Sequence, residues 1–63
     1  GKNGQAKSYP IIEDNVVIYA DSIIAGKVRI GNNAVIGAKT LVNIDVPSNT
    51  LAVGIPCKII NKK

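Results

Sequence analysis

Few side chains in this chain of 63 residues could carry chemistry near neutral pH. There is no histidine, the side chain whose ordinary pKa lets it take and return a proton at pH 7. Four carboxylates are present, Glu13, Asp14, Asp21 and Asp45, and each falls at a predicted bend. A solvated carboxylate at a bend is an ordinary outcome, so none substitutes convincingly as a general base. Cys57 stands alone, which excludes an internal disulfide, and it reads as a packed thiol rather than a nucleophile. With no histidine and one cysteine, no metal site is expected. The formal charge of +4 is modest and its lysines are scattered. That charge serves solubility, or attraction for a phosphorylated ligand.

The elements that would position such a ligand follow a period of six. Ile12, Ile18, Ile24, Ile30, Ile36 and Val42 are all β-branched and recur at every sixth position. A helix of period 3.6 does not accommodate that spacing, nor this density of Val, Ile, Gly and Asn. A short strand followed by a tight bend does. Three units close a triangular coil, and residue n stacks on n+18 at about one strand spacing, ~4.8 Å. Ile12 then lies under Ile30, Ile18 under Ile36, and Ile24 under Val42. Val16, Ser22, Val28, Ala34 and Thr40 come two positions earlier and share the inward face. Bends are expected at Asp14-Asn15, Ala20-Asp21, Gly26-Lys27, Asn32-Asn33 and Ala38-Lys39, where Gly, Asn and Asp tolerate positive φ.

The row just before each interior aliphatic points outward and should be polar. It reads Ile11, Val17, Ile23, Arg29, Val35 and Leu41, and five of these six are apolar. Val17/Val35 and Ile23/Leu41 therefore form exposed stripes, which mark an interface. Coils packed about a threefold axis would bury both stripes. They would also supply stability that a ~60-residue chain lacks, since such a domain buries only about 60% of its unfolded surface. The chain starts at Gly1, which fits a piece of a longer protein.

The composition excludes other classes. Phe and Trp are absent and Tyr9 and Tyr19 are the only aromatics, so a stacking surface for single-stranded nucleic acid is not expected. No apolar run approaches the ~20 residues of a membrane span. Without a signal-peptide pattern, the expected compartment is the cytoplasm. The expected organisation is a loop or arm over 1–10, coils over 11–47 and a terminating segment over 48–63. Pro47 breaks the repeat, and Gly54 permits a reversal.

Six hexapeptides followed by Asp45-Val46-Pro47, Ser48-Asn49 and Gly54-Ile55-Pro56-Cys57-Lys58 resemble the C-terminal end of the hexapeptide-repeat acyltransferases. The resemblance covers residues 11 to 60 and is strongest to serine O-acetyltransferases. Gly1-Lys2 and Tyr9-Pro10 match that family's Gly-Lys loop and His-Pro pair. The loop between them is about one residue longer, and Tyr9 stands where the family has a substrate-contacting histidine. Sugar and capsular polysaccharide O-acetyltransferases share the same ending.

The resemblance implies a fold, an all-β left-handed parallel β-helix. The hand comes from the family, because most parallel crossovers are right-handed. It also implies acetyl transfer from acetyl-CoA to a hydroxyl, serine first and a sugar second, in a homo-oligomer that is a trimer. The base would be a histidine outside these residues, N-terminal to Gly1, so no catalytic residue is assigned. Ala20 and Ala38 match the bends where the pantetheine arm lies between subunits. Lys58 matches a basic residue that meets the nucleotide phosphates, and Lys39 is a second cationic candidate. Asn43-Ile44 stands where sugar acetyltransferases carry Thr-Lys, which removes one phosphate contact. Two other readings of the fold are a zinc carbonic anhydrase, which needs histidines this chain lacks, and a trimerisation scaffold without activity.

Overall fold

The computed structural model describes residues 9–61. Six two-residue strands come first: β1 (Ile11–Ile12), β2 (Val17–Ile18), β3 (Ile23–Ile24), β4 (Arg29–Ile30), β5 (Val35–Ile36) and β6 (Leu41–Val42). Two longer ones follow, β7 (Thr50–Val53) and β8 (Lys58–Asn61). Strands β1 and β4 pair in parallel, as do β2 and β5, and β3 and β6. Their registers set Ile12 on Ile30, Ile18 on Ile36 and Ile24 on Val42, the stacking that the sixfold spacing predicts. The result is a triangular coil with three faces. β1 and β4 lie on the first, β2, β5 and β7 on the second, and β3 and β6 on the third.

The corners turn through left-handed backbone. Asn15, Asp21, Asn33 and Lys39 have φ between 55° and 65°, and Asn15 and Asp21 sit one coil below Asn33 and Lys39. At the third corner Gly26 takes the positive φ of 82°, one residue earlier than the spacing of the others would place it. Backbone bonds tie the coils together at these corners. The Asn33 amide donates to the Asp14 carbonyl at 3.0 Å, and the Lys39 amide to the Ala20 carbonyl at 3.0 Å.

The core is the inward row. Val28, Ile30, Ala34, Ile36, Val42, Val46 and Ala52 are buried, with Thr40 and Thr50 among them. Both threonine hydroxyls are satisfied locally, Thr50 donating to the Pro47 carbonyl at 2.7 Å and Thr40 to the Ala38 carbonyl at 3.4 Å. Ile12 and Ile18 differ from their stacked partners. They face inward yet are 46% and 40% exposed, because among the described residues no coil lies beneath β1 and β2. Ile30 and Ile36, which have a layer on both sides, are fully buried.

The end of the coil departs from the eighteen-residue repeat. Val46 bridges Ile30, and β7 pairs with β5 through Val35–Leu51 and Ile36–Ala52, a spacing of sixteen. Three residues, Asn43 to Asp45, connect Val42 to Val46, where five connect Ile24 to Ile30. The residues after Pro47 also do more than terminate. They add β7 as a further strand of the second face, and β8 returns antiparallel on it, from Thr50–Asn61 to Val53–Lys58. The turn between them crosses to the third face. The Leu41 amide donates to the Gly54 carbonyl and the Cys57 amide to the Leu41 carbonyl, both at 3.0 Å. Cys57 is thereby buried under the turn.

Candidate functional site

The outward rows make the three faces unequal. The second carries Val17, Val35 and Leu51, and the third Ile23 and Leu41 with Ile55 beside them. On the first, Ile11 is followed by Arg29, whose Nε donates to Glu13 Oε2 at 2.7 Å. Asp45 lies one layer above and accepts the Arg29 amide at 2.9 Å. One face is therefore charged and two are apolar, and the apolar two meet at the second corner.

That corner is built from Ala20-Asp21 and, stacked on it, Ala38-Lys39. All four residues are exposed, and the methyl side chains of the alanines leave the backbone open to an approaching ligand. The Ala20 carbonyl is already taken by the Lys39 amide, so it holds the corner together rather than offering a free acceptor. Beside the corner runs a groove of about 350 Å³, lined by Asp21, Ile23, Lys39, Thr40, Leu41 and Ile55. Its size is that of a small-molecule site. Of the residues singled out from the sequence, Lys39 lines this groove and Ala20 and Ala38 adjoin it.

The other two lie elsewhere. Lys58 is exposed at the start of β8, opposite Val53, and is not among the groove's lining. Tyr9 is exposed ahead of β1 at the open end of the coil, joined to Pro10 by a cis peptide bond. Gly1 and Lys2 fall outside the described residues, as does most of the 1–10 arm. Sequence reasoning missed Ile55 as a wall of the groove. It treats Gly54-Ile55-Pro56 as a chain reversal, and only the bonds of the turn to Leu41 bring Ile55 to the third face.

Comparison with known proteins then settles the family. The model of the bacterial transferase hexapeptide (six repeats) matches residues 9–43, more than half of the chain. The chain belongs to the hexapeptide-repeat transferases. Its coil is thus the left-handed parallel β-helix of that family. It is 45% identical over 62 residues to a galactoside O-acetyltransferase of Escherichia coli (strain K12), covering 97% of this chain and 30% of that protein. It is 40% identical over 62 residues to a serine acetyltransferase of Buchnera aphidicola, covering 98% of this chain and 23% of that protein. Among solved structures it is similar to a hexapeptide-repeat acetyltransferase of Vibrio cholerae complexed with acetyl-CoA. The TM-score is 0.79 at 40% identity, over 84% of this chain and 30% of that one. The chain thus spans less than a third of the length of these relatives.

Among the described residues, no group of three or more His, Cys, Asp or Glu could hold a metal ion. Among the same residues, no helix is long and apolar enough to cross a membrane.

Proposed function

We propose that this chain is the coenzyme-binding and assembly end of an acetyl-CoA-dependent O-acetyltransferase. The observation that carries the reading is the second corner, where small residues stack beside an apolar groove with one ammonium at its lip. A long, flexible thioester needs such a seat: open backbone for its amides, apolar wall for its alkyl segments, and a cation for its phosphates. Similarity to a relative complexed with acetyl-CoA supports the choice of coenzyme. Lys58 is a second cation for the nucleotide end, reached around the hairpin.

The chain supplies no base. Transfer to a hydroxyl needs a group that removes its proton and later protonates the departing thiolate. Histidine is absent from all 63 residues; Glu13 and Asp45 are partners of Arg29 on the first face, and Asp21, the carboxylate that lines the groove, sits exposed on the corner as an ordinary solvated carboxylate. The chain alone is therefore expected to bind the coenzyme without turning it over.

For the acceptor, a sugar hydroxyl is our first reading, supported by Tyr9 and the relatives. An exposed phenol offers a flat apolar face and a hydroxyl, a combination suited to a sugar ring. The similarity to a galactoside O-acetyltransferase points the same way. Serine, at the head of cysteine synthesis, is the second reading and is supported by similarity to a serine acetyltransferase. The apolar second and third faces supply two docking surfaces per chain, which suits closed packing around a threefold axis.

Calorimetric titration of the chain with coenzyme A tests the binding half, and saturable binding is expected. Acetyl transfer by a longer protein carrying this chain, with galactosides, maltose and serine as acceptors, tests the rest. Turnover with serine alone would reverse the order of the two acceptors. Absence of coenzyme binding would leave the scaffold reading in its place.

A further inference from the structure

The charged first face holds a hollow of its own, which shares no lining residue with the groove beside the second corner. Side chains on this face stand in two columns, because Val46 bridges Ile30 and so adds a third layer. In one column Asp45 lies above Arg29. In the other, Glu13, Gly31 and Pro47 follow the buried Ile12, Ile30 and Val46. Gly31 brings no side chain to the middle of its column, and Arg29 turns down to Glu13 in the layer below. The space left open is about 350 Å³, with Val46 and Pro47 as its apolar part and Ser48 beside them. That is room for a small organic molecule.

The polar groups of the hollow are held in place and only partly used. Arg29 Nε and Nη2 both meet Glu13 Oε2, and Asp45 Oδ1 accepts the Arg29 amide at 2.9 Å. Among the described residues, Glu13 Oε1, Asp45 Oδ2, Arg29 Nη1 and the Ser48 hydroxyl make no hydrogen bond to protein. Each is therefore open to a ligand, and the two carboxylates need little ordering to receive one. The charge order along the face is Glu13, Arg29, Asp45. Two carboxylates repel a phosphate, and the guanidinium between them repels an ammonium. A neutral polyol meets neither cost. Hydroxyls on neighbouring carbons of a sugar ring both donate and accept, which suits a hollow offering acceptors and donors side by side. The ring's C–H face is apolar and suits Pro47. We infer that this hollow is a binding site for a neutral sugar ring, on a different face from the coenzyme groove. It holds the ring without reacting with it, since both carboxylates are committed to Arg29.

The test is titration of the chain with maltose, followed by the backbone amide shifts of Arg29, Gly31 and Ser48. Saturable shifts are expected, and raising the salt to ~1 M should leave them unchanged because the ligand is uncharged. Asp45→Asn keeps an oxygen for the Arg29 amide and should weaken maltose about tenfold, the effect of losing a hydrogen bond to a charged acceptor. Ser48→Ala should weaken it about threefold. Its unfolding midpoint should not move, because that hydroxyl bonds to nothing in the fold. Neither variant should change the affinity for coenzyme A.

Absence of any shift with maltose would overturn the inference. So would shifts that both variants leave at full strength but Tyr9→Ala removes; the sugar would then sit at Tyr9, and the acceptor reading would stand. Tighter binding of putrescine than of maltose, lost at ~1 M salt, would make the hollow a site for organic cations instead. A chain that binds maltose here but not coenzyme A would sink the coenzyme reading and keep this one.

Discussion

A Cβ placed on Gly31 would stand 2.5 Å from the backbone nitrogen of Ser48 and 2.6 Å from its hydroxyl oxygen. The cause is the shortened third corner. Val46 reaches Ile30 two residues early, and the Gly31 amide donates to the Val46 carbonyl at 2.8 Å, drawing the next coil down onto Gly31. The obstruction is backbone, so it cannot swing aside. Gly31→Ala should therefore destabilise the fold by about 2–3 kcal/mol, as overpacking of a closed site does. At Gly37 the nearest atom is Val53 Cγ1 at 2.7 Å, a side chain that can rotate. Gly37→Ala should cost roughly half as much. Denaturant unfolding of the two variants checks the order, and equal losses would refute the role given to the shortened corner.

The two glycines also show what the sequence made legible. The eighteen-residue register was readable because an interior methyl-branched side chain at every sixth position has one geometric consequence. The sixteen-residue ending was not, because the deletion falls where strand signals stop and no side chain marks it. The outward apolar rows were readable for the same reason as the ladder, since alternation fixes direction. β7 and β8 were not, because four-residue runs beside Pro47 and Pro56 look like a terminating loop until pairing partners exist. At the candidate site, Ala20, Ala38 and Lys39 fall at bends that the spacing marks, and the family resemblance is what singles Ala20 and Ala38 out among those bends. Ile55 joins them only through the hydrogen bonds of the turn to Leu41, a contact that no local pattern encodes.

Stacking depth should set the cost of truncating the ladder. Ile36 is fully buried between Ile18 below and Ala52 above, whereas Ile18 is 40% exposed at the open end. Ile36→Ala is expected to cost about 3–4 kcal/mol, the loss of a buried side chain plus its cavity. Ile18→Ala should cost about half that or less, since its site is already partly hydrated. A chain of this size has little stability to lose, so thermal midpoints under stabilising osmolyte give the cleaner comparison. Equal shifts for the two would mean that another layer covers Ile18 in solution.

The left-handed corners make a third prediction. Asn15 has φ 61° at an exposed position, and its side chain is small and polar enough to tolerate that conformation. A β-branched replacement does not tolerate it. Asn15→Val should destabilise by about 1–2 kcal/mol, and Asn15→Gly should be neutral to within about 0.5 kcal/mol. If valine is as stable as asparagine, the corner must have rearranged, and the amide shifts of Asp14 and Val16 would report it.

The ion pair on the charged face should matter little to stability and should respond to salt. Arg29 and Glu13 join β4 to the turn after β1, with Arg29 Nε donating to Glu13 Oε2 at 2.7 Å. The guanidinium side chain is more than half exposed, so water and counter-ions compete for it. Exposed pairs of this kind contribute about 0–1 kcal/mol. Glu13→Gln keeps the shape and one acceptor oxygen while removing the charge, and should lower stability by about 0.5 kcal/mol at low ionic strength. That difference should shrink as salt rises to ~1 M, where the screening length falls to about 3 Å. Arg29→Ala removes the same charge pair but leaves the Asp45 contact in place, because the Arg29 backbone amide makes it at 2.9 Å. The two variants should therefore match each other in unfolding free energy. A much larger loss for Arg29→Ala would show that its aliphatic stem packs on the first face, and that this face is not simply solvated.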